Sequence, residues 1–238
     1  MYDLREKVVL ITGASRGVGR AMALTFAGEG AKVGALARTG AALDSLAKEA
    51  EGNILPVVCD ISEPDAVKSA VSKVQDSLGP IDVLINNAAI YLEKSIIDTS
   101  PDEWRRILDV NVLGPFLATQ AVLPHMLERN AGRIINVCST ASHIGYVRQA
   151  GYVASKHALL GFTRVLSEET HGTNIRVHAI SPGGVNTSLV KGRPGVDLSE
   201  YMDPAEIAEI ALFLARMDKI ATMDEVVVRR TGSKPFRC

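Results

Sequence analysis

Cysteine is scarce in this chain, and what little there is excludes two classes of protein. Cys59, Cys138 and Cys238 are odd in number and lack metal-ligand spacing, so neither a disulfide framework nor a zinc site fits. They read as reduced core or tail thiols. His125, His143, His157, His171 and His178 have no partner spacing for a metal either. A formal net charge of −1 gives no field that would gather nucleic acid or an anionic membrane. No unbroken apolar run approaches the roughly 20 residues that a bilayer span needs. The charged start, Met1–Lys7, leads straight into an apolar strand and does not read as a signal peptide, which predicts a cytoplasmic protein. Repeats, low-complexity segments and interdomain linkers are also missing. A chain of 238 residues with 47% hydrophobic content then suits one domain over 1–238 with a sizeable core. Only 187–203 reads as a long loop, with Gly192, Pro194 and Gly195 in it, and it is the candidate substrate loop.

What the chain does have is a regular alternation of strand and helix patterns. Strands are expected at 7–12, 32–37, 54–59, 81–85, 133–138, 175–180 and 225–229. Helices are expected at 17–28, 41–50, 64–78, 102–109, 112–129, 152–170 and 204–216. That alternation predicts an α/β fold, a doubly wound parallel sheet with helices on both faces. The run Lys7–Ile11 fits a buried parallel strand. It enters Thr12–Gly19 (TGASRGVG), after which Arg20–Ala27 reads as helix. Strand, glycine loop and helix N-terminus together make a site for a dinucleotide pyrophosphate. Missing Cβ atoms admit the ligand to the backbone, and the helix offers unpaired N–H groups. The spacing is Gly-x3-Gly-x-Gly, a departure from the general Gly-x-Gly-x2-Gly fingerprint.

A second constellation carries chemistry. Tyr152 and Lys156 are four apart in a helical stretch, so they share a face and the ammonium can lie near the phenol. A nearby cation favours phenolate and is expected to draw the phenol from about 10 toward the working range of an acid–base group. Ser139 follows the apolar run 133–137, at the carboxyl end of a strand, where open α/β sheets meet their ligands. Cys138 beside it has no histidine at a telling distance and is not read as a nucleophile.

Taken together these pieces resemble the short-chain dehydrogenase/reductase family over nearly the whole chain. The elements stand in the family's order: the glycine loop at 12–19, Asp60–Ile61, Asn86–Ala89, Asn111, Ser139, Tyr152, Lys156 and Ser181–Thr187. The resemblance implies a Rossmann-type sheet of order 3-2-1-4-5-6-7 and a catalytic tetrad of Asn111, Ser139, Tyr152 and Lys156. It implies hydride transfer from nicotinamide to a carbonyl, with Tyr152 giving the proton, Ser139 holding the oxygen, and Lys156 gripping the nicotinamide ribose. Pro115 has no N–H to offer the carbonyl of Asn111, which leaves that carbonyl for the family's relay water. By the same resemblance the cofactor is held by Gly13, Ser15, Arg16, Gly17, Val18 and Gly19 of the loop. Asp60 meets the adenine with Ile61 beside it, Asn87 and Ala88 line the ribose, and Ala89 stands where the family has glycine. Pro182, Gly183, Val185 and Thr187 face the carboxamide.

Cofactor choice is legible at the second strand. Its end carries Ala37, where an NAD-specific site wants an acid, and Arg38 follows while Arg16 stands in the loop. Two guanidiniums clamp a 2′-phosphate, so NADP(H) is the expected cofactor. Tyr91, Leu92, Ile144, Tyr146 and Val147 suggest an apolar pocket for a small-molecule carbonyl or alcohol, and His143 reads as a solvated loop residue. The alternatives are a 3-oxoacyl-(acyl-carrier-protein) reductase and a nucleotide-sensing protein without catalysis. Against the first, the helix ends at 128–130 and 168–171 are not basic. Against the second, the tetrad is complete. Surplus apolar residues on 112–129 and 152–170, among them Phe116, Leu117, Leu123, Leu159, Leu160 and Phe162, predict a homodimer or homotetramer.

Overall fold

A computed structural model describes residues 1–189 and 197–234. Seven strands form one parallel sheet: β1 (Val8–Thr12), β2 (Lys32–Ala37), β3 (Ile54–Val58), β4 (Ile81–Asn86), β5 (Gly132–Val137), β6 (Ile175–Pro182) and β7 (Glu225–Val228). Their order is β3-β2-β1-β4-β5-β6-β7, the order that the resemblance implies. The central strands β1 and β5 are buried at every residue, while the edge strands β3 and β7 are not. Parallel strands covered on both faces favour apolar residues, which is why the sequence reads there as mainly apolar runs, with Thr12, Arg133 and Asn136 as buried polar exceptions.

The helices are α1 (Gly17–Gly28), α2 (Gly40–Glu49), α3 (Pro64–Leu78), α4 (Pro101–Leu108), α5 (Gly114–Glu128), α6 (Ala150–Glu169) and α7 (Pro204–Ala215). Alternate strand residues supply two cores. Val9 and Ile11 pack with Met22 and Phe26 of α1 and with Ile207 and Leu212 of α7. Val8 and Leu10 face the other way, toward Val71 and Val74 of α3 and Val122 of α5. This is the period-2 alternation of a pleated strand. Two helix starts are fixed by local chemistry: Ser100 with Glu103, and Asp203 with Glu206, form capping boxes, each with a proline in the first turn.

One element differs in kind from expectation. The helix predicted to begin at 112 is the second half of a longer one, for α4 runs into a π-helical turn at Asp109–Leu113 and then into α5. The N–H of Gly114 reaches back five residues to the carbonyl of Asp109. Pro115 explains why: with no N–H at 115 the α-helical ladder is interrupted, and one extra residue is absorbed as a bulge. Gly114 is held to glycine by packing, since a Cβ there would stand 3.0 Å from the side chain of Ile61. By length and composition Pro101–Glu128 could cross a membrane. Its Val110, Ala118, Val122 and Met126 are buried in the same core as Leu84 and Ile134, so it is a core helix of the domain.

All seven strands point their carboxyl ends at one edge of the sheet. That edge gathers the glycine loop after β1, Arg38 after β2, Asp60 after β3, Asn87 after β4, Ser139 after β5, Gly183 after β6 and Arg229 after β7.

Candidate active site

Two adjoining cavities occupy this edge. The first, of about 460 Å³, is lined by the residues from Thr12 to Gly19 except Ala14, by Ala37 and Arg38, by Asp60 and Ile61, and by Asn87, Ala88 and Ala89. The glycine loop is shaped as the sequence suggests. Gly13 has φ +68°, and a Cβ on it would lie 2.7 Å from the Cα of Ala88. Gly17 has φ +54°, and a Cβ on Gly19 would run into the amide of Asn87 and the carbonyl of Gly13. Asn87 locks the two loops together, its amide donating to the carbonyls of Thr12 at 2.9 Å and Gly13 at 3.2 Å. Thr12, not singled out from sequence, takes the N–H groups of Asn87 and Ala88 on its hydroxyl. The N-cap residue Arg16 makes no side-chain cap to α1 among the described residues, which leaves the first-turn N–H groups suited to an anion.

Arg16 and Arg38 are both exposed on this cavity, and among the described residues neither has a hydrogen-bond or ion-pair partner. Asp60 is already engaged. Burial works against its charge, but two hydrogen bonds from Ser62 and one from Arg106 outweigh it and hold the carboxyl at about 2. Cys59, Thr39 and Ala42 also line the cavity and carried no signal in the sequence.

The second cavity, of about 550 Å³, contains the Ser139, Tyr152 and Lys156 constellation. Ser139 stands two residues past β5, its hydroxyl accepting from the N–H of Ala141 at 3.1 Å and hydrogen-bonded with Tyr152. Tyr152 is half-buried, its ring edge-on to Tyr91 with centroids 5.2 Å apart. Lys156 is 1% exposed. Its Nζ lies 5.8 Å from the centre of the Tyr152 ring but donates to the carbonyl of Val137 at 2.7 Å.

The expected lowering of the phenol is therefore corrected. Burial pushes Tyr152 up to about 12, against a smaller opposing effect of Ser139, while burial pulls Lys156 down to about 8. The helix face was right, but the ammonium is committed to a backbone carbonyl, and loss of water around both groups outweighs their proximity.

A stability test follows for Lys156. Unfolded, it keeps its proton to its ordinary value of 10.5; folded, only to about 8. Between those values the unfolded chain binds more protons, so this group makes stability rise with pH, and its full cost applies below about 8. Relative to Lys156→Met, the unmodified protein is expected to gain roughly 3 kcal/mol across that window, at about 1.36 kcal/mol per pKa unit. Denaturant unfolding of both proteins across the window checks this, and a constant difference contradicts it.

Asn111 is fully buried in the π-helical turn. Its amide takes the N–H of Ile90 at 2.8 Å and donates to the carbonyl of Ile90 at 2.9 Å and to the hydroxyl of Ser155 at 3.0 Å. The side chain thus ties the β4 loop to α6 one residue before Lys156. Its main-chain carbonyl has no donor at the α-helical position four residues on, which is Pro115.

Pro182, Gly183, Val185 and Thr187 line the second cavity, as do Ala89, Tyr91, Ile144 and Tyr146. Leu92 and Val147 do not, and Val147 is exposed. His143 is corrected too: its Nε2 lies 2.6 Å from Glu225, which also accepts from Ser181, so it is a locked residue beneath the site and not a solvated one. In the candidate substrate loop, Thr187–Leu189 and 197–203 are described, while 190–196, with Gly192, Pro194 and Gly195, lie outside the described residues. Tyr201, Arg229, Arg230 and Lys234 line the cavity and went unnoticed in the sequence as site residues. Arg229 and Arg230 directly follow the last strand, which was the available signal. Among the described residues no group of three or more His, Cys, Asp or Glu could hold a metal.

Residues 7–194 match the short chain dehydrogenase family. The chain belongs to that family. It is 37% identical over 236 residues to a 3-oxoacyl-(acyl-carrier-protein) reductase of Thermotoga maritima, covering 94% of this chain and 96% of that one. A 3-ketoacyl-(acyl-carrier-protein) reductase from Brucella melitensis, solved with NADH, superposes with a TM-score of 0.89 at 33% identity over 95% of this chain and 98% of that one. A metagenomic short-chain oxidoreductase, solved with NADP, gives 0.86 at 31% identity over 97% and 100%. As a member of this family the chain is an oxidoreductase of the short-chain type.

Proposed function

We propose that the chain is an NADP(H)-dependent carbonyl reductase, interconverting a ketone or aldehyde and its alcohol, with Tyr152 as the group that gives and takes the proton. The observation that carries this is the meeting of Ser139, Tyr152 and Lys156 in one cavity that adjoins the glycine-loop cavity. Reduced nicotinamide supplies the hydride. Gly13, Ser15, Gly17, Val18 and Gly19 would hold its pyrophosphate, Arg16 and Arg38 its 2′-phosphate, and Asp60, Ile61, Asn87 and Ala88 its adenosine half. Pro182, Gly183, Val185 and Thr187 would hold the carboxamide end beside Ala89. Ser139 fixes the substrate oxygen as charge develops on it. A phenol at about 12 keeps its proton at neutral pH and is ready to donate it, which suits reduction.

The test is a panel of carbonyl compounds followed by NADPH absorbance. Reduction is expected at neutral pH, and oxidation of the product alcohol is expected to accelerate as pH rises, because it needs the phenolate. An oxidation rate that stays flat from about pH 6 to 10, a span reaching up to an ordinary tyrosine pKa, would contradict the assignment.

A second reading, reduction of 3-oxoacyl groups on a carrier, is favoured by the names of the relatives at 37% and 33% identity. Oxoacyl thioesters therefore belong in the same panel.

Self-association belongs to the same proposal. Phe116 and Val165 are exposed on α5 and α6, and the ring of Phe116 lies edge-on to Phe162 at 6.2 Å. Leu159 and Leu160, counted in the surplus, are instead buried in the protomer. Light scattering is expected to give a dimer or tetramer, and a fully active monomer of 25.4 kDa would overturn this.

A further inference from the structure

The second cavity has an electrostatic asymmetry that hydride transfer does not need. Among the described residues no Asp or Glu lines it, yet beyond Lys156 it carries Arg229, Arg230 and Lys234. These residues come from beyond β7, whose Val228 pairs with Pro182 of β6. That pairing sets the following residues against the floor of the site: the N–H of Gly183 donates to Val228 at 2.7 Å, and a Cβ on Gly183 would lie 3.9 Å from the Cα of Arg229 and 3.8 Å from Thr140, next to Ser139.

The two arginines do different things. Arg229 is spent on the chain itself, its guanidinium donating to the carbonyls of Arg230, Thr231 and Ser233 and so fixing the turn after the strand. Arg230 is held but not satisfied. Its guanidinium stacks over the ring of Tyr201 at 4.5 Å, and Tyr201 in turn lies against Gly184, where a Cβ would come within 2.5 Å of the ring. Its ion pair with Glu200 is long, at 4.0 Å, and that carboxylate is 75% exposed, while among the described residues its Nε is buried without a hydrogen-bond partner. A guanidinium set in place by an aromatic face, ion-paired only to an exposed carboxylate at 4.0 Å, on the wall of a cavity with no acid among its described lining residues, is suited to hold an oxygen of an anion.

We propose that Arg230 is a specificity-determining residue that binds an anionic oxygen group, a carboxylate or a phosphate, carried by the carbonyl substrate. This rests on the reading of the cavity as a substrate site. It adds that neutral carbonyl compounds are the poorer substrates, and that the pocket, which the sequence suggests is mostly apolar, carries a cation as well.

The experiment compares matched pairs on the NADPH assay: straight-chain oxo acids of increasing length against their methyl esters, and oxoacyl-pantetheine against its 4′-phosphate. In at least one pair the anion is expected to show a kcat/KM about 10- to 100-fold above its neutral partner, mainly through KM, the value of a charge-assisted hydrogen bond. Arg230→Met should collapse that ratio toward one, and Arg230→Lys should keep part of it. The first pair responding assigns a carboxylate, the second a phosphate. Equal ratios in unmodified protein and Arg230→Met overturn the proposal, as does a preference for the neutral partner in both pairs. If no carbonyl compound is reduced, the reading of the activity fails, and the anion site is decided separately by calorimetric titration of the unmodified protein and Arg230→Met with hexanoate, hexyl phosphate and hexanol. Binding of either anion but not hexanol, lost in Arg230→Met, supports the site; binding unaffected by the variant, or no anion binding, overturns it.

Discussion

Replacing Tyr152 by phenylalanine is expected to reduce turnover by at least about a hundredfold while leaving NADP(H) affinity within a few-fold, since general acid–base catalysis contributes roughly 10²–10⁴-fold. The substitution is clean for geometric reasons. The ring keeps its edge contact with Tyr91, and the neighbouring ammonium is bonded to Val137 rather than to the phenol oxygen, so only the hydroxyl and its bond with Ser139 are lost. Lys156→Ala differs, because it removes a buried donor from the Val137 carbonyl as well as the proposed ribose contact, and both rate and cofactor affinity are expected to fall. Steady-state rates with fluorescence titration of the cofactor separate the two. A phenylalanine variant retaining more than about a hundredth of the rate would show that Tyr152 is not the acid, given the size of such catalysis.

Exchanging Arg38 for Asp is expected to turn the preference for NADPH over NADH around, changing the ratio of the two catalytic efficiencies by on the order of 100- to 1,000-fold. A charge-assisted hydrogen bond worth about 1.5–3 kcal/mol is lost, and an anion now faces the 2′-phosphate. Arg38 is exposed and, among the described residues, without a partner, so the change costs the fold little and the effect reads on the cofactor alone. Arg16→Ala is expected to act in the same direction with smaller size, since it removes attraction without adding repulsion. The NADPH advantage is expected to shrink with added salt, because both guanidiniums lie in water-exposed positions where ions screen them. Equal efficiency with both cofactors in the unmodified protein would sink the clamp.

The strand and helix order could be read from the chain because each element announces its own period. The runs at Val8–Thr12 and Gly132–Val137 are mostly apolar and buried at every residue because both sheet faces are covered, and Ser100 and Asp203 carry their helix starts in their own side chains. The π-helical turn at Asp109–Leu113 was only half legible. Pro115 signalled a broken ladder, but whether the chain answers with a kink, a helix start or a bulge depends on how α4 and α5 pack against the sheet. The part of the cavity wall that follows β7 was missed because Arg229 and Arg230 resemble any charged tail until β7 is paired with β6.

By itself the sequence determined what is local: the glycine loop between strand and helix, the absence of an acid at Ala37, and Tyr152 and Lys156 on one helix face. Backbone sterics and helical periodicity act over a few residues and leave little choice. The tertiary structure alone decided what each charged head group meets. It carried the ammonium of Lys156 to the Val137 carbonyl, gave His143 to Glu225, tied Asn111 to Ile90 and Ser155, and stood Arg230 on Tyr201 at the cavity wall. It also decided the sign of the tyrosine shift, up and not down. The physical reason is common to all of these. A side chain's partners and its access to water are set by segments far away in the chain, and only the closed sheet, with its seven carboxyl ends on one edge, brings those segments together.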